Sequence, residues 1–415
     1  MQLLEFTVEG LFGKYNHQVR FPTSDEEDST PSITILHGGN GIGKTTVLRM
    51  LACMMQFKLD YFGQVPFESC KLSFDNRRRL LIRRIKGEGI SLTFNGLDAT
   101  YRFRDGEGAS QQDPKFDELK RVFSKNTEGI SWSFLPADRT RFLVSDPDFS
   151  LLDEDNRYLR ANAYYRELER ERVREREFSN VLALRVRNFI REALVDHRGF
   201  FATGDPEVFT RVIQNLRNIQ EVPPSREEIA RELTFVAEQE RVQKRFGFPV
   251  ESWDYKELMA ALNEAREEKP NEHVLVAVKT YAEFLASKAG VRQLVADRLI
   301  TFEEVMKEFL ADKDVRIDAR RGITITDSTG VQLRETQLSS GEYQLLYLMV
   351  AALTTRRRGT VIAIDEPELS MHIGWQRKLV QNLLRCASRA ALQLIIATHS
   401  PDIAADYPDS MIELS

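Results

Sequence analysis

A glycine-rich segment near the N-terminus carries the residue types that bind phosphate groups. Residues 38–45 match the pattern G-x-x-x-x-G-K-[ST] in full. Glycines let successive backbone N–H groups face a phosphate, and the N-terminus of a following helix adds positive dipole at the same place. The side chain of Lys44 can then reach the β- and γ-phosphates of a nucleotide, and the hydroxyl of Thr45 can ligate Mg²⁺. The predicted phosphate site comprises Gly38, Gly39, Asn40, Gly41, Ile42, Gly43, Lys44, Thr45 and Thr46.

Two acidic residues follow a short apolar segment in the C-terminal part of the chain. Residues 361–364 are Val-Ile-Ala-Ile, and Asp365 and Glu366 come next. An aspartate at the tip of a strand can hold Mg²⁺ directly or through water, and the following glutamate can act as general base on the attacking water. Downstream of a phosphate-binding loop, this pair predicts nucleotide hydrolysis, with Asp365 as a metal ligand and Glu366 as the base.

His399 follows a second apolar segment, residues 394–398. A histidine at this place can bond the γ-phosphate and report its presence or loss. A lone histidine after a strand is more often structural. Because the same sequence also contains the motifs of Lys44 and Glu366, the catalytic interpretation of His399 is favoured here.

Residues 338–342, Leu-Ser-Ser-Gly-Glu, precede an apolar helical segment that runs from Tyr343 to Leu353. Serine and glycine at the start of a helix make a second phosphate-binding nest. Because one nucleotide site already has its own glycine-rich loop, a second nest implies a second molecule. The alternative is an ordinary serine-capped helix. The residues assigned to this nest are Ser339, Ser340, Gly341 and Glu342.

The segments around these motifs predict the elements that position them. Residues 1–145 are β-rich, with an apolar run before the glycine loop, a helical pattern from Thr45 and a hairpin turn at Asn95-Gly96. Residues 315–415 contain short, continuous apolar runs that suit buried parallel strands. We therefore predict one α/β domain formed by both ends of the chain, with a helical insertion over residues 146–314.

The insertion itself carries helix signals but no catalytic motif. Ser225 with Glu228 predicts a capping box, and Gly290 predicts the end of a helix. Residues 166–177 alternate arginine and glutamate, which favours a solvated helix face with i,i+4 ion pairs. A docking arm for a partner and a stripe that contacts DNA phosphates are the alternatives for that segment.

Composition limits the class of protein. The formal net charge is -5 and the pI about 5.9, so any contact with nucleic acid must come from a local patch. The three cysteines are scattered and match no metal-binding spacing, which is typical of reduced thiols in the cytoplasm. The N-terminus lacks the apolar core of a signal peptide, and no apolar run approaches the roughly 20 residues that span a bilayer. A cytoplasmic protein that does not enter the membrane is expected.

The ordered set GGNGIGKTT, LSSGE, VIAIDEPELSMH and IIATHS resembles the ABC ATPases. More narrowly it is similar to the branch that contains SMC, RecF and the OLD-type ATPases of bacterial defence. The resemblance implies an α/β fold with an ABC-type head and an N-terminal antiparallel β part, and it implies ATP and Mg²⁺ as ligands. It also implies that Ser339 and Gly341 contact the γ-phosphate bound to an opposite subunit, and that residues 369–372 couple the two sites.

The same resemblance extends to the ATPase subunits of the anti-phage systems Septu, PARIS and retrons. It implies a sensor or regulatory subunit that forms a head-to-head dimer with a second copy and controls a separate effector, a nuclease or toxin. A DNA-repair ATPase that clamps DNA is the first alternative, and it leaves nucleic acid open as a partner. The ATPase subunit of a transporter is a weaker alternative, because the insertion and the sequence DEPELSMH do not fit it.

Overall fold

The computed structural model describes residues 1–23, 31–85, 89–103, 113–128, 130–137, 181–196, 204–217, 224–248, 255–264, 272–355, 360–387 and 392–414. The chain divides into two compact units. The first consists of Met1–Phe178 with Leu338–Ser415, and the second is Ser179–Gln337.

The first unit alternates strands and helices at both ends of the chain. Its N-terminal part contains β1 (Leu3–Leu11), β2 (Tyr15–Arg20), β3 (Ser32–His37), α1 (Lys44–Gln56), α2 (Tyr61–Gln64), β4 (Ser69–Phe74), β5 (Arg79–Ile85), β6 (Gly89–Phe94), β7 (Leu97–Tyr101), α3 (Pro114–Thr127) and β8 (Ser131–Leu135). The second unit contains α4 (Val181–Asp196), α5 (Gly204–Arg217), α6 (Arg226–Arg245), α7 (Tyr255–Glu264), α8 (Glu272–Phe309), β9 (Lys313–Asp318), β10 (Gly322–Asp327), β11 (Gln332–Leu333) and a 3-10 helix at Glu335–Gln337. The first unit then resumes with α9 (Ser340–Leu353), β12 (Thr360–Asp365), α10 (Ile373–Cys386), β13 (Leu392–Ala397), α11 (Pro401–Ala404), a 3-10 helix at Pro408–Ser410 and β14 (Met411–Glu413).

An antiparallel sheet of six strands forms much of the N-terminal part, in the order β2-β1-β4-β5-β6-β7. The predicted hairpin at its edge is confirmed, since Asn95 and Gly96 link β6 to β7 with φ values of 51° and 79°. Both central residues of a type I′ turn need positive φ, which explains why Asn-Gly is favoured. The inner face of this sheet supplies large buried side chains, among them Phe6, Phe74 and Phe94.

A parallel sheet of five strands follows the order β14-β3-β13-β12-β8. Every residue of β12 and β13 is buried, which is the reason these strands are largely apolar rather than alternating. Because the strands are parallel, their carboxyl ends share one edge of the sheet. The predicted α/β fold with an N-terminal antiparallel part is confirmed.

One buried side chain ties the two sheets of this unit together. The amide of Gln393 on β13 accepts a hydrogen bond from the backbone N–H of Leu3 at 2.8 Å and donates one to the carbonyl of Leu3 at 2.9 Å. A glutamine that is 4% exposed in an apolar strand needs such partners, because an unmade buried hydrogen bond is costly. The contact fixes β1 against β13.

The second unit is largely helical and ends in a three-stranded antiparallel sheet, β11-β10-β9. Ser225 is the N-cap of α6, and its hydroxyl accepts from the N–H of Glu228, which is one of the two hydrogen bonds of the predicted capping box. The prediction for Gly290 was wrong: this residue lies inside α8, which continues to Phe309. The hairpin of β9 and β10 belongs to this unit, although most of it lies within residues 315–415, which the sequence analysis assigned to the α/β domain.

Two further predictions fall outside the described residues: the arginine–glutamate segment at 166–177 and the start of the insertion at residue 146. Among the helices that the structure describes, none combines the length and apolar character that crossing a membrane requires.

Candidate functional site

The glycine-rich loop connects β3 to α1 and depends on backbone conformations that favour glycine. Gly38 and Gly43 have φ values of 149° and 104°. A Cβ at Gly38 would lie 2.8 Å from the carbonyl oxygen of Leu414, and one at Gly43 would lie 2.8 Å from the side chain of Leu11. Gly39, Asn40 and Gly41 are exposed at the tip of the loop, Ile42 and Thr46 are half-buried, and Lys44 and Thr45 begin α1.

Lys44 lies under this loop with its side chain almost enclosed, at 5% exposure. Its Nζ donates to the carbonyl oxygens of Gly38 and Gly39 at 2.9 and 3.0 Å, and it lies 3.4 Å from Nδ1 of His399. Burial lowers the pKa of Lys44, while the carboxylates of Glu366, Glu368 and Asp365 act in the opposite direction. The ammonium is therefore desolvated, surrounded by anions and within reach of the loop.

Thr45 and Asp365 come together across the sheet edge. The hydroxyl of Thr45 donates to Oδ1 of Asp365 at 3.0 Å, and Asp365 is fully buried at the end of β12. Magnesium in nucleotide sites is commonly held by one or two protein oxygens, with phosphates and water as the other ligands. The hard oxygen donors of Thr45 and Asp365 fit such an ion.

Glu366 and His399 stand beside this pair at the ends of β12 and β13. Nε2 of His399 lies 3.8 Å from Oε1 of Glu366, and the two side chains are 36% and 30% exposed. Glu366 has a φ of 43°, in the left-handed region, and its N–H donates to the carbonyl of Ala397 at 2.8 Å. A non-glycine residue in this conformation is uncommon and is over-represented at functional sites. An acid and an imidazole thus face an accessible space next to Lys44.

Two residues that the sequence did not single out support this arrangement. Glu368 accepts a hydrogen bond from the backbone N–H of His399 at 2.7 Å, through its Oε1. His17 on β2, only 4% exposed, contacts the carbonyl oxygen of Ile42 with its Nε2 at 2.9 Å. Neither has a local sequence signal, because Glu368 bonds across 31 residues and His17 across 25.

The second predicted nest lies at the N-terminus of α9. Ser339 is the N-cap, and it forms a reciprocal capping box with Glu342: the Ser339 hydroxyl accepts from the Glu342 N–H, and the Glu342 carboxylate accepts from the Ser339 N–H at 2.8 Å. Ser339 and Ser340 are exposed, whereas Gly341 is buried. Within the described residues, no hydrogen bond joins Ser339 or Ser340 to Lys44, Glu366 or His399. The structure therefore brings the loop, the acids and His399 together and keeps the serines apart as a separate, accessible helix start.

Comparison with known proteins gives a family match over most of the chain. A family model described as "AAA domain, putative AbiEii toxin, Type IV TA system" matches residues 33–405. The comparison with curated protein sequences gives no match.

Among solved structures, several SMC head domains are similar over the full length of this chain. One from Pyrococcus furiosus, with an extended coiled coil and bound to the C-terminal domain of ScpA, is 12% identical, covered over 93% of its length, with a TM-score of 0.42. One from Pyrococcus yayanosii, with a coiled coil and joint, is 15% identical, covered over 95%, with a TM-score of 0.44. The head domain from Thermotoga maritima is 8% identical, covered over 95%, with a TM-score of 0.37.

Proposed function

This chain belongs to the AAA-domain family of P-loop ATPases that matches residues 33–405, and we propose that it binds ATP with Mg²⁺ and hydrolyses it. The observation that carries the proposal is the meeting of four groups at one edge of the parallel sheet. Lys44 and Asp365 are buried there, and Glu366 and His399 are partly exposed beside them. Desolvated charges next to an accessible acid and imidazole are the arrangement that phosphoryl transfer requires.

The chain's own residues divide the work of hydrolysis. When ATP binds, the ammonium of Lys44 gives up its hydrogen bonds to the carbonyl oxygens of Gly38 and Gly39 and bonds the β- and γ-phosphate oxygens instead. Because the positive charge already lies at the loop, the loop does not have to reorganise. Thr45 and Asp365 would hold Mg²⁺, which when bound would neutralise charge on the phosphates. Glu366 accepts the proton of the attacking water, and His399 orients toward the γ-phosphate.

We propose further that a second copy of this chain completes the site in a head-to-head dimer. Ser339 and Ser340 are exposed at the start of a long helix, where backbone N–H groups and the helix dipole favour a phosphate. Leu369, in the loop after β12, and Ile373, the first residue of α10, are large apolar side chains that are 43% and 51% exposed. A partner that brings its own nucleotide to Ser339 would cover both.

The biological role that we propose is control of a separate effector, a nuclease or toxin, in a defence system. The description of the matching family names a putative toxin of a type IV toxin–antitoxin system, which supports a place in a system that contains a toxin. Co-expression with the products of neighbouring genes, followed by purification with and without ATP, tests it. Recovery of a nuclease or toxin supports the proposal, and recovery of a membrane permease or recombination protein contradicts it.

Two substitutions test the chemistry. Lys44→Ala should abolish binding of a fluorescent ATP analogue, whereas Glu366→Gln should keep binding and lower phosphate release by roughly 10²- to 10⁴-fold. Mass photometry should show a dimer that forms only with ATP, and the Glu366→Gln variant should stay in that dimer because it does not hydrolyse the nucleotide.

Lys120→Ala and Glu118→Gln, both exposed on α3, are the matched controls. Wild-type turnover in Glu366→Gln would reject the assignment of the base, and a dimer fraction indifferent to ATP in both proteins would reject the composite site.

A further inference from the structure

The hairpin of β1 and β2 lies against the glycine-rich loop at one peptide group. A Cβ at Gly43 would lie 2.8 Å from the side chain of Leu11 and 3.9 Å from Nε2 of His17. The same Nε2 lies 2.9 Å from the carbonyl oxygen of Ile42, the residue before Gly43. A side chain from outside the loop motif therefore bonds the peptide group that joins Ile42 to Gly43.

The imidazole of His17 is held in place for this bond. A carbonyl oxygen can only accept, so Nε2 of His17 carries the hydrogen and donates it to Ile42. The side chain is 4% exposed, which leaves water little access to take over the bond. Tyr15, on the same face of β2, stacks on the ring with centroids 5.7 Å apart and planes inclined by 13°. His17 is thus a donor of fixed position.

The bond sets the direction of the N–H of Gly43. Within the described residues every peptide bond is trans, and in a trans peptide the carbonyl and the N–H that follows it point in opposite directions. Since the carbonyl of Ile42 points toward β2, the N–H of Gly43 points away from β2. Gly43 is also the N-cap of α1, and it has no side chain to bond the first N–H groups of that helix. These groups are left for a ligand, and a phosphate is the ligand that they favour.

The conformation of Gly43 makes such an anchor necessary. Its φ is 104° and its ψ is 16°, a combination that residues with a side chain rarely adopt. The freedom that lets glycine adopt it also lets the preceding peptide group turn over, because no Cβ opposes the rotation. After such a turn the carbonyl of Ile42 would face the side that the N–H faced, and it would repel a phosphate. The loop therefore needs an external hydrogen bond to keep a donor at this position.

We propose that His17 is a positioning residue for nucleotide binding. Its hydrogen bond keeps the peptide group between Ile42 and Gly43 in the orientation that presents the N–H to the α- and β-phosphates, which a glycine-rich loop of this kind cradles with its backbone. ADP and ATP share those phosphates, so the binding of both depends on His17. The inference rests on the nucleotide binding proposed above and adds a residue on β2, outside the loop motif, that sets its strength.

The first test compares His17→Gln with His17→Asn. The two variants carry the same amide, but only the glutamine amide nitrogen extends as far along the side chain as Nε2 of the imidazole. His17→Asn should weaken binding of a fluorescent ADP analogue by roughly 10- to 100-fold, the loss expected for one hydrogen bond to a charged group. His17→Gln should recover most of the affinity. A residue needed only for packing would make the two amide variants alike, and Gln18→Ala, on the exposed face of β2, is the matched control.

The second test separates the phosphates from the rest of the nucleotide. Inorganic pyrophosphate, which has no base or ribose, should displace the fluorescent ADP analogue from the wild type. His17→Phe keeps a ring that can stack on Tyr15 but has no donor, and it should weaken pyrophosphate and ADP by the same factor. The KM for ATP should rise by a similar factor while kcat changes little, because an interaction made equally in the ground state and the transition state affects KM alone.

The outcomes separate this inference from the proposed function. If the wild type binds neither ATP nor ADP, the proposed function fails. If the wild type binds both, but His17→Phe and His17→Asn bind ADP as tightly as the wild type, the positioning role is rejected. Equal loss of affinity in His17→Gln and His17→Asn also rejects it, since a donor at the ε position would then make no difference. If His17→Phe does not fold, the difference between the two amide variants, each checked by thermal unfolding, decides the matter.

Discussion

Both compact units bury charged side chains, but the surroundings of those charges differ. In the first unit, Lys44 and Asp365 are 5% and 0% exposed and lie where strands end, next to the accessible side chains of Glu366 and His399. In the second unit, Arg292 of α8 and Glu240 of α6 are 2% and 8% exposed and lie 3.5 Å apart between two packed helices. The second pair has another polar neighbour on α6, Gln243, which is fully buried and donates to the carbonyl of Ala289.

The difference shows that burial of charge does not by itself mark a functional site. Charges at the ends of parallel strands are held toward a space that a ligand can enter, as expected at the carboxyl edge of an open α/β sheet. Charges between α6 and α8 have their partners on those helices, where a buried polar pair can fix how the helices align. We therefore expect the two sets to separate activity from stability.

The largest expected effect is on activity. Asp365→Asn should lower ATP hydrolysis by roughly 10²- to 10³-fold, because the strand end loses the charge that we propose holds Mg²⁺. The unfolding free energy of the first unit should not fall, since a buried carboxylate is replaced by a neutral group of the same shape. Phosphate release over a magnesium titration and urea unfolding measure the two quantities. Wild-type turnover at every magnesium concentration would contradict the assignment of Asp365.

In the second unit the expected effect is on stability. Arg292→Ala leaves the carboxylate of Glu240 buried without this partner and should lower the unfolding free energy by roughly 3–5 kcal/mol. Replacing both residues, as Arg292→Met with Glu240→Leu, should be much less harmful, because no buried charge is left behind. Urea unfolding measures this, and binding of a fluorescent ATP analogue should be kept in both variants. Loss of ATP binding by folded Arg292→Ala would show that the two units do not divide the work in this way.

Glu335, another buried acidic residue, makes the stability of the second unit depend on pH. Its carboxylate accepts from the N–H groups of Leu182 and Ala183 at 3.2 and 2.9 Å, and burial raises its pKa to about 7 from 4.5. The native state therefore holds this proton up to about pH 7, whereas the unfolded chain releases it near pH 4.5. Stability should fall as pH rises through that window, by about 3 kcal/mol at most.

Urea unfolding between pH 5 and 8 checks this expectation for Glu335. Glu335→Gln removes the titrating group and should reduce the slope in the same window. A wild-type stability that rises from pH 5 to 7 with the slope unaltered in the variant would show that another group dominates.

The smallest expected effect is at the exposed end of α6. Ser225→Ala removes the hydroxyl that accepts from Glu228 and should lower the unfolding free energy by about 1 kcal/mol, while Ser225→Thr should keep most of it. Thermal unfolding of the two variants measures the difference. An alanine variant as stable as the wild type would mean that the first turn of α6 is already frayed in the wild-type protein.

The parts of the first unit that local patterns determine could be predicted from the sequence. A continuous apolar run is enough to identify β12 and β13, because a strand covered on both faces has no polar side. Asn95-Gly96 is enough to predict a hairpin, since both residues adopt positive φ easily. The same local patterns show which residues stand at the strand ends, although the roles of those residues remain predictions.

Tertiary contacts explain what the sequence could not show. Gly290 was expected to end a helix, yet α8 runs through it, and packing of buried side chains such as Leu285 and Ala296 on both sides outweighs the roughly 1 kcal/mol that glycine loses to alanine in a helix. Glu368 and Gln344 escaped notice because their partners, His399 and Pro367, come from other elements. Such contacts have no period and no spacing in the sequence.

During synthesis, β3 leaves the ribosome long before either strand that pairs with it. Its neighbours, β13 and β14, begin at Leu392 and Met411. At roughly 5–20 residues per second, translating the intervening segment takes on the order of 20 to 70 s. Throughout that interval both edges of β3, the strand that leads into the glycine loop, are unpaired, and unpaired strand edges tend to pair with the wrong partner. We therefore expect the nascent chain to bind no ATP until β13 and β14 emerge, and we expect a chaperone that shields strand edges to raise the yield of active protein.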